Sequence, residues 1–256
     1  MKFTQIRNAT AHIEYAGKRF LIDPVFAPKD TYPGFEGTLN SHLNWPTVEL
    51  PFDIEKILDV DAIIITHTHP DHLDEAAIHA IPKNMKLFVQ NDEDKEFLTK
   101  AGFINITILE ENSNFEGIHL SITSGQHGSD KAMQEWGELL GKVSGVVFSH
   151  PDEKTVYLAG DTIWNAEVEK AIQEYSPQIM ILNMGDAQIP GVGSIIMGKE
   201  DALRAHQAAP NAQIIATHME AVNHAALTRN ELRDFVNKND LEKHVFVPED
   251  GESLML

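Results

Sequence analysis

The sequence predicts an α+β fold: a β-sandwich with helices packed on its outer faces. Two observations carry this expectation. Short runs rich in Ile, Val, Phe or Tyr, most ending at Gly, Pro, Asn or Asp, recur along all of the 256 residues, as strands do. Hairpin-like runs open the chain and helix-like stretches alternate with strands only later, which is neither a doubly wound pattern nor an all-β one. The length suffices for one large, well-buried domain spanning 1–256, and no composition shift marks a linker.

In chain order, the expected strands are Thr10 to Tyr15, Arg19 to Ile22, Ala62 to Thr66, Lys86 to Gln90, Ile104 to Leu109 and Ile118 to Thr123. Val143 to Phe148, Thr155 to Ala159, Ile179 to Leu182, Ile214 to Thr217 and Val245 to Val247 follow. Helices are expected around Leu73 to Ala80, Asp92 to Ala101, Asn165 to Tyr175, Glu200 to Ala208 and Arg229 to Lys238. Thr228, with Glu231 three residues on, forms a capping box for the last of these. The stretch from Ala27 to Asp53, rich in Pro, Gly and Asn, reads as a loop insertion, and long loops in compact domains often serve as lids.

Composition narrows the chemistry. The chain has no cysteine, which removes disulfides, thiolate zinc sites and a cysteine nucleophile together. Thirteen histidines leave imidazole and carboxylate as the available metal donors. A formal charge of −19 argues against nucleic acid and anionic membrane surfaces as partners. The start lacks the apolar core of a signal peptide and no run is long enough to span a bilayer, so the expected location is the cytoplasm. A small-molecule substrate is the expected partner, with room for a homo-oligomer.

The run His67-Thr68-His69-Pro70-Asp71-His72 follows the apolar Ala62 to Thr66, so a polar cluster emerges at the C-terminal end of a buried strand. Pro70 prevents regular strand pairing from continuing. If His67 and His69 stay extended, their imidazoles point to one side and can share an ion. After the turn, Asp71 and His72 can face a second ion. The plain alternative is a solvated turn that happens to be His-rich.

Further donors lie at other strand ends. His127 sits in Ser124-Gly125-Gln126-His127-Gly128, Asp161 in Leu158-Ala159-Gly160-Asp161-Thr162, and His218 in Thr217-His218-Met219-Glu220. Each alone is more simply a cap or a turn residue. Their shared placement after apolar runs supports two sets: His67, His69, His127 and Asp161 for one ion, and Asp71, His72, Asp161 and His218 for the other. Such donors suit Zn²⁺ and tolerate Mn²⁺ or Fe²⁺, and the open positions mark a catalytic rather than a structural site. Asp23 can orient a ligand histidine or be a turn residue before Pro24. Trp164, Met184 and His244 are candidates for the substrate pocket, though aromatic and thioether side chains are more often core. His224 is a lesser candidate of the same kind, and His12 and His79 read as structural or exposed.

The combination of HTHPDH, GQHG, AGDT and THME, with the FLIDP run at Phe20 to Pro24, resembles the metallo-β-lactamase superfamily. Within it, the branch of ascorbate-6-phosphate lactonase and N-acyl-phosphatidylethanolamine phospholipase D is similar. The likeness runs from about Ala9 to about His218. It implies a four-layer αββα sandwich with a dinuclear metal site along its edge. It departs from many relatives at Asn8-Ala9-Thr10-Ala11-His12, where they begin with glycine-histidine, and at Thr217 to Glu220.

The expected function is a metal-dependent, lactonase-like hydrolase in which a metal-bridged hydroxide attacks a lactone, ester or phosphodiester. Asp71 would both bind metal and accept a hydrogen bond from the nucleophile. The rivals are a nuclease or phosphodiesterase of the same fold, a diiron redox protein, and a non-catalytic metal-binding protein.

Overall fold

A computed structural model describes residues 1–256. Two seven-stranded sheets face each other. The first runs, in spatial order, Ser253–Met255, Lys2–Arg7, Thr10–Tyr15, Lys18–Ile22, Ala62–Ile64, Leu87–Val89 and Ile106–Ile108. The second runs Val245–Phe246, Gln213–Thr217, Ile179–Asn183, Val156–Leu158, Ser144–Ser149, Ile118–Ser124 and Ser113–Phe115. In each sheet an antiparallel stretch joins a run of parallel strands.

The layering follows from the two-residue period of the strands. Ala62 and Ile64 point into the cluster between the sheets, where they meet Phe20, Phe148 and Leu158. Their neighbours Ile63 and Ile65 point the other way, onto Leu73, Ala77 and Leu98 of the flanking helical layer. The second sheet repeats this: Ile179, Ile181 and Ile215 face inward, while Met180, Leu182 and Ile214 pack on Val168, Ala202 and Leu232. Both faces of both sheets are covered, which makes the expected four-layer αββα sandwich.

The helices are capped where their side chains dictate. Thr228 and Glu231 form the expected capping box for Arg229–Lys238. Asn91 caps Asp92–Lys100 and Asn165 caps Ala166–Tyr175. The helix expected from Leu73 starts at Glu75, because Asp74 leaves helical geometry to cap it, accepting from Ala77 N. Helix Asp130–Leu140 departs from the expectation; Gly128 and Gly141 flank it and Gly137 lies within it, while Ser129 caps it. Strand Lys2–Arg7 also escapes a reading by alternation, since its polar residues Gln5 and Arg7 are as buried as its apolar ones.

Residues 27–53 hold no helix and only the isolated bridge between Tyr32 and Trp45, and one cation fastens the stretch at both ends. Arg7, fully buried, donates from Nη2 to Val25 O and Ala27 O, and from Nη1 to Val48 O. Asp74 reinforces the first end by accepting from Phe26 N and Ala27 N. Between them, Trp45 packs on Tyr32 and Phe35. Helix-sized apolar burial is absent from this segment, so polar anchors hold it. No helix in the protein is long and apolar enough to cross a membrane.

Replacing Arg7 by Leu strands two buried carbonyls and one partly buried one and should lower the unfolding free energy by about 3 kcal/mol, at about 1–3 kcal/mol per unsatisfied group with partial relaxation. Urea unfolding measures this. Arg7→Lys should not restore it, because one ammonium does not span the fork of a guanidinium.

Candidate metal centre

The parallel strands of both sheets deliver their C-terminal ends to one edge. Asp23 follows Lys18–Ile22, His67 follows the strand ending at Ile64, Asp161 follows Val156–Leu158, and His218 follows Gln213–Thr217. His127 arrives after Ile118–Ser124, whose direction matches Val156–Leu158 because Ser144–Ser149 runs antiparallel to both. Close contact between the two sheets' ends is required here. Ser144 Oγ donates to Thr66 O, and a Cβ on Gly160 (φ +69°) would lie 2.3 Å from Ser144 O, so only glycine fits before Asp161.

Two groups of donors result. His67, His69 and His127 form one, and Asp71, His72, Asp161 and His218 the other. All but the half-buried His69 are buried. Asp161 Oδ2 stands between them, 3.1 Å from His72 Nε2 and 3.6 Å from both His127 Nε2 and His218 Nε2. His67 Nε2 is 3.0 Å from His69 Nδ1, His72 Nε2 is 3.1 Å from His218 Nε2, and His218 Nε2 is 3.4 Å from Asp71 Oδ2.

These donors fit a cation. Ligand atoms about 2.0–2.1 Å from a tetrahedral Zn²⁺ stand about 3.3 Å apart, within the span observed. The outward ring nitrogens are mostly committed elsewhere, which leaves lone pairs facing inward. His69 Nε2 donates to Leu139 O, His127 Nδ1 to Ile195 O, and His72 Nδ1 to Asp23 Oδ2. His67 Nδ1 donates to Thr66 Oγ1. That hydroxyl in turn donates to Asp23 Oδ2, while Asp23 Oδ1 accepts from Thr66 N. One buried carboxylate thus orients a histidine of each group, in the way metal-bound imidazoles require.

The electrostatics separate the two groups. Burial, with His72 and His69 close by, holds His67 well below the ordinary imidazole range. Burial likewise pushes His127 down to about 4, so these two imidazoles are neutral and ready to ligate. In the other group burial opposes charge, but Asp161 and Asp23 overcome it and raise His72 well above its ordinary value. Asp161 and Asp71 raise His218 in the same way. Both carboxylates sit below their usual range despite burial, Asp71 chiefly through His218 and Asp161 chiefly through His72. Protons here neutralise the carboxylates in the role a cation would take.

Above the donors lies a cavity of about 640 Å³, open at His69, Asp71 and His127. Phe35 to Thr38 of the 27–53 insertion wall one side, and Trp136, Leu139 and Leu140 of helix Asp130–Leu140 wall another. His224 also lines it. The three residues expected in the pocket lie elsewhere. Met184 is fully buried in the core against the second sheet; Trp164 packs on that same core and donates to Glu169; His244 stacks on His206. Each follows apolar packing or a surface neighbour rather than the sheet edge.

Sequence reasoning missed two supporting amides. Asn8 Nδ2 donates to Asp71 O, and Asn8 O accepts from His218 N, tying both residues to the first hairpin. Asn183 Nδ2 donates to Asp161 Oδ1 at 2.6 Å, which leaves Oδ2 to the donors. The position of Asn183 at a parallel strand's C-terminal end was the available signal.

A sandwich whose edge gathers imidazole and carboxylate in this way defines a class of metal-binding hydrolases. The model of the β-lactamase superfamily domain matches residues 18–219. The UPF0173 protein YddR of Bacillus subtilis is 48% identical over 254 residues, 99% of each chain. The UPF0173 metal-dependent hydrolase MJ1163 of Methanocaldococcus jannaschii is 30% identical, over 82% of this chain and 89% of that one. Among solved structures, an isothiocyanate hydrolase from Delia radicum gut bacteria superimposes with a TM-score of 0.98 at 47% identity, covering 100% of this chain and 99% of that one. The chain belongs to the β-lactamase superfamily, and within it to the UPF0173 family of metal-dependent hydrolases.

Asp23→Ala should leave the fold intact and weaken metal binding about 10–100-fold, measured by competition with a chromophoric chelator. A second expectation concerns the protein in excess EDTA. His127 has a folded-state value near 4 against 6.5 for the free side chain. The unfolded chain therefore takes up this proton first on acidification. The stabilisation is full above pH 6.5 and is lost as pH falls from 6.5 towards 4. Urea midpoints over that window should fall less steeply for His127→Gln than for the wild type.

Proposed function

We propose that this chain binds two divalent cations, Zn²⁺ foremost, and hydrolyses a small uncharged electrophile carrying an apolar tail, with an isothiocyanate as the leading case. The observation that carries the reading is the cavity wall. Phe35, Trp136, Leu139, Leu140, Ile189 and Ile195 line it, and no Lys or Arg does. An apolar tail gains from that burial, whereas a phosphodiester would find no cationic side chain to meet its charge. The name of the 47%-identical isothiocyanate hydrolase supports the same substrate class.

Bound divalent cations supply Lewis acidity, lowering the pKa of water and neutralising charge that builds on the substrate. His67, His69 and His127 would hold one cation and Asp71, His72 and His218 the other, with Asp161 shared between them. Asp71, ionised and 5% exposed at the cavity floor, accepts a hydrogen bond from the attacking water and directs it. Asp23, Asn183 and Asn8 keep these groups from turning. The apolar wall excludes bulk water from the substrate. In balance, R–N=C=S and one water form R–NH–C(=S)OH by addition across the C=N bond, and a proton shift from oxygen to sulfur gives the tautomeric thiocarbamic acid R–NH–C(O)SH. Loss of carbonyl sulfide then leaves the amine R–NH₂.

A lactone or a carboxylic ester is the second reading, since the same wall accepts a neutral acyl group. The test is a panel of benzyl isothiocyanate, a γ-lactone, a p-nitrophenyl ester and bis(p-nitrophenyl) phosphate with zinc-loaded protein. The isothiocyanate should turn over fastest and the phosphodiester slowest. Preferential phosphodiester cleavage would overturn the assignment. Metal analysis should find two equivalents in the wild type, one in His69→Ala and none in Asp161→Ala, with activity lost in both variants.

A further inference from the structure

His224 is the imidazole in the cavity lining that neither donor group uses. It is 7% exposed, and its ring meets the edge of Phe35 at 5.0 Å and 78°. The neighbouring Asn223 fixes this arrangement: its Oδ1 accepts from Phe35 N, and its Nδ2 donates to Thr38 Oγ1 and Leu39 O. His224 O is held by Gln188 N. Such anchoring is more than a spectator side chain in a loop needs.

The two ring nitrogens differ. Nδ1 is sealed from solvent and has no hydrogen-bond partner. Nε2 has no protein partner either but is not sealed, so it is the nitrogen that reaches the cavity. A proton on Nδ1 would bury a donor with no acceptor. A proton on Nε2 points where an acceptor can arrive.

We propose that His224 Nε2–H donates a hydrogen bond to the electron-rich heteroatom of the bound substrate, the nitrogen or sulfur of an isothiocyanate. The inference rests on the substrate reading above and extends it. Donors aimed at an atom where negative charge builds are effective because the fold has already oriented them. In a wall whose other polar side chains are Glu36, an acceptor, and Thr38, whose hydroxyl donates to Phe35 O, this donor fixes which end of the substrate faces Asp71.

Two variants test it. His224→Phe keeps a ring against Phe35 and removes the donor, while His224→Gln keeps a donor. Binding of O-ethyl N-benzylthiocarbamate, an unreactive neutral mimic of the adduct, is measured by calorimetry on zinc-loaded protein, beside turnover of benzyl isothiocyanate and metal content. His224→Phe should bind the mimic about tenfold more weakly, the scale of one lost hydrogen bond, and lower kcat. His224→Gln should stay within about threefold of wild type, and both variants should keep full metal. Equal binding by wild type and His224→Phe overturns the proposal. So does loss of metal in His224→Phe, equal weakening in both variants, or no binding of the mimic to the wild type. Wild-type protein that binds the mimic, depends on His224 for it, and leaves benzyl isothiocyanate intact would refute the substrate reading while upholding the donor.

Discussion

The Asp23 carboxylate, 1% exposed, accepts three hydrogens: from Thr66 N, from Thr66 Oγ1 and from His72 Nδ1. Each acts at a different level of structure. The bond to Thr66 N ends regular pairing of the strand that begins at Ala62, two residues before the expected end, although Ile65 N still reaches Phe88 O. The bond to Thr66 Oγ1 orients that hydroxyl so that it accepts from His67. The bond to His72 fixes the second donor group. Asp23 itself stands at φ +43°, a conformation that costs a non-glycine residue about 1 kcal/mol or more. The three charge-assisted hydrogen bonds offset that cost. A neutral side chain there would leave both imidazoles free to turn.

Charge explains why so much support is needed. Two buried carboxylates, Asp71 and Asp161, share one site with five imidazoles. Without cations, protons shared by His72 and His218 balance them. That state is electrically tolerable but crowded, since two Nε2 atoms at 3.1 Å cannot both carry hydrogens between them. A cation relieves the crowding and the charge together. The amides of Asn8 and Asn183 stiffen the carboxylate side of this balance, so the donors are set before any cation arrives.

How much of this is legible in sequence depends on what each residue answers to. The seven donors were readable because each follows an apolar strand, and a strand end is a position that local pattern reveals. Asp23 was readable for the same reason, though its partners were not. Asn8 and Asn183 were missed because an amide's role is set by what lies across the fold; Asn183 stands at a strand end as the donors do, but its partner Asp161 is not visible along the chain. The cavity wall failed for a further reason. Trp164 and Met184 have the chemistry of a pocket, but alternation turns Met184 onto the helical layer, as it does Met180 and Leu182, and Trp164, in the loop before Ala166–Tyr175, is held on that layer by its bond to Glu169. Trp136 lies on a helix that glycines concealed. In the four-layer frame, the hairpin opening and the later alternation were sufficient, because burial on both faces leaves long apolar runs.

Donors and wall also come from different parts of the chain, and this has a consequence for specificity. Every donor sits at a strand end or in the turn that follows one, positions that the sheets hold rigidly. The wall comes from residues 27–53, from helix Asp130–Leu140 and from the segments carrying Ile189, Ile195 and His224, and the first two meet over the donors where Gly37 approaches Trp136. The insertion is held by Arg7, Asp74 and Asn223 and by a small cluster in which Trp45, Tyr32 and Phe35 pack against Val25 and Val222. Its residues can therefore change without disturbing a ligand. Two wall elements do reach the donors: Leu139 O accepts from His69 and Ile195 O from His127. Those contacts use backbone carbonyls, which any side chain at 139 or 195 would supply. The metal chemistry is thus insulated from the residues that shape the cavity, and a family sharing one set of donors can diverge in substrate by changing the wall alone.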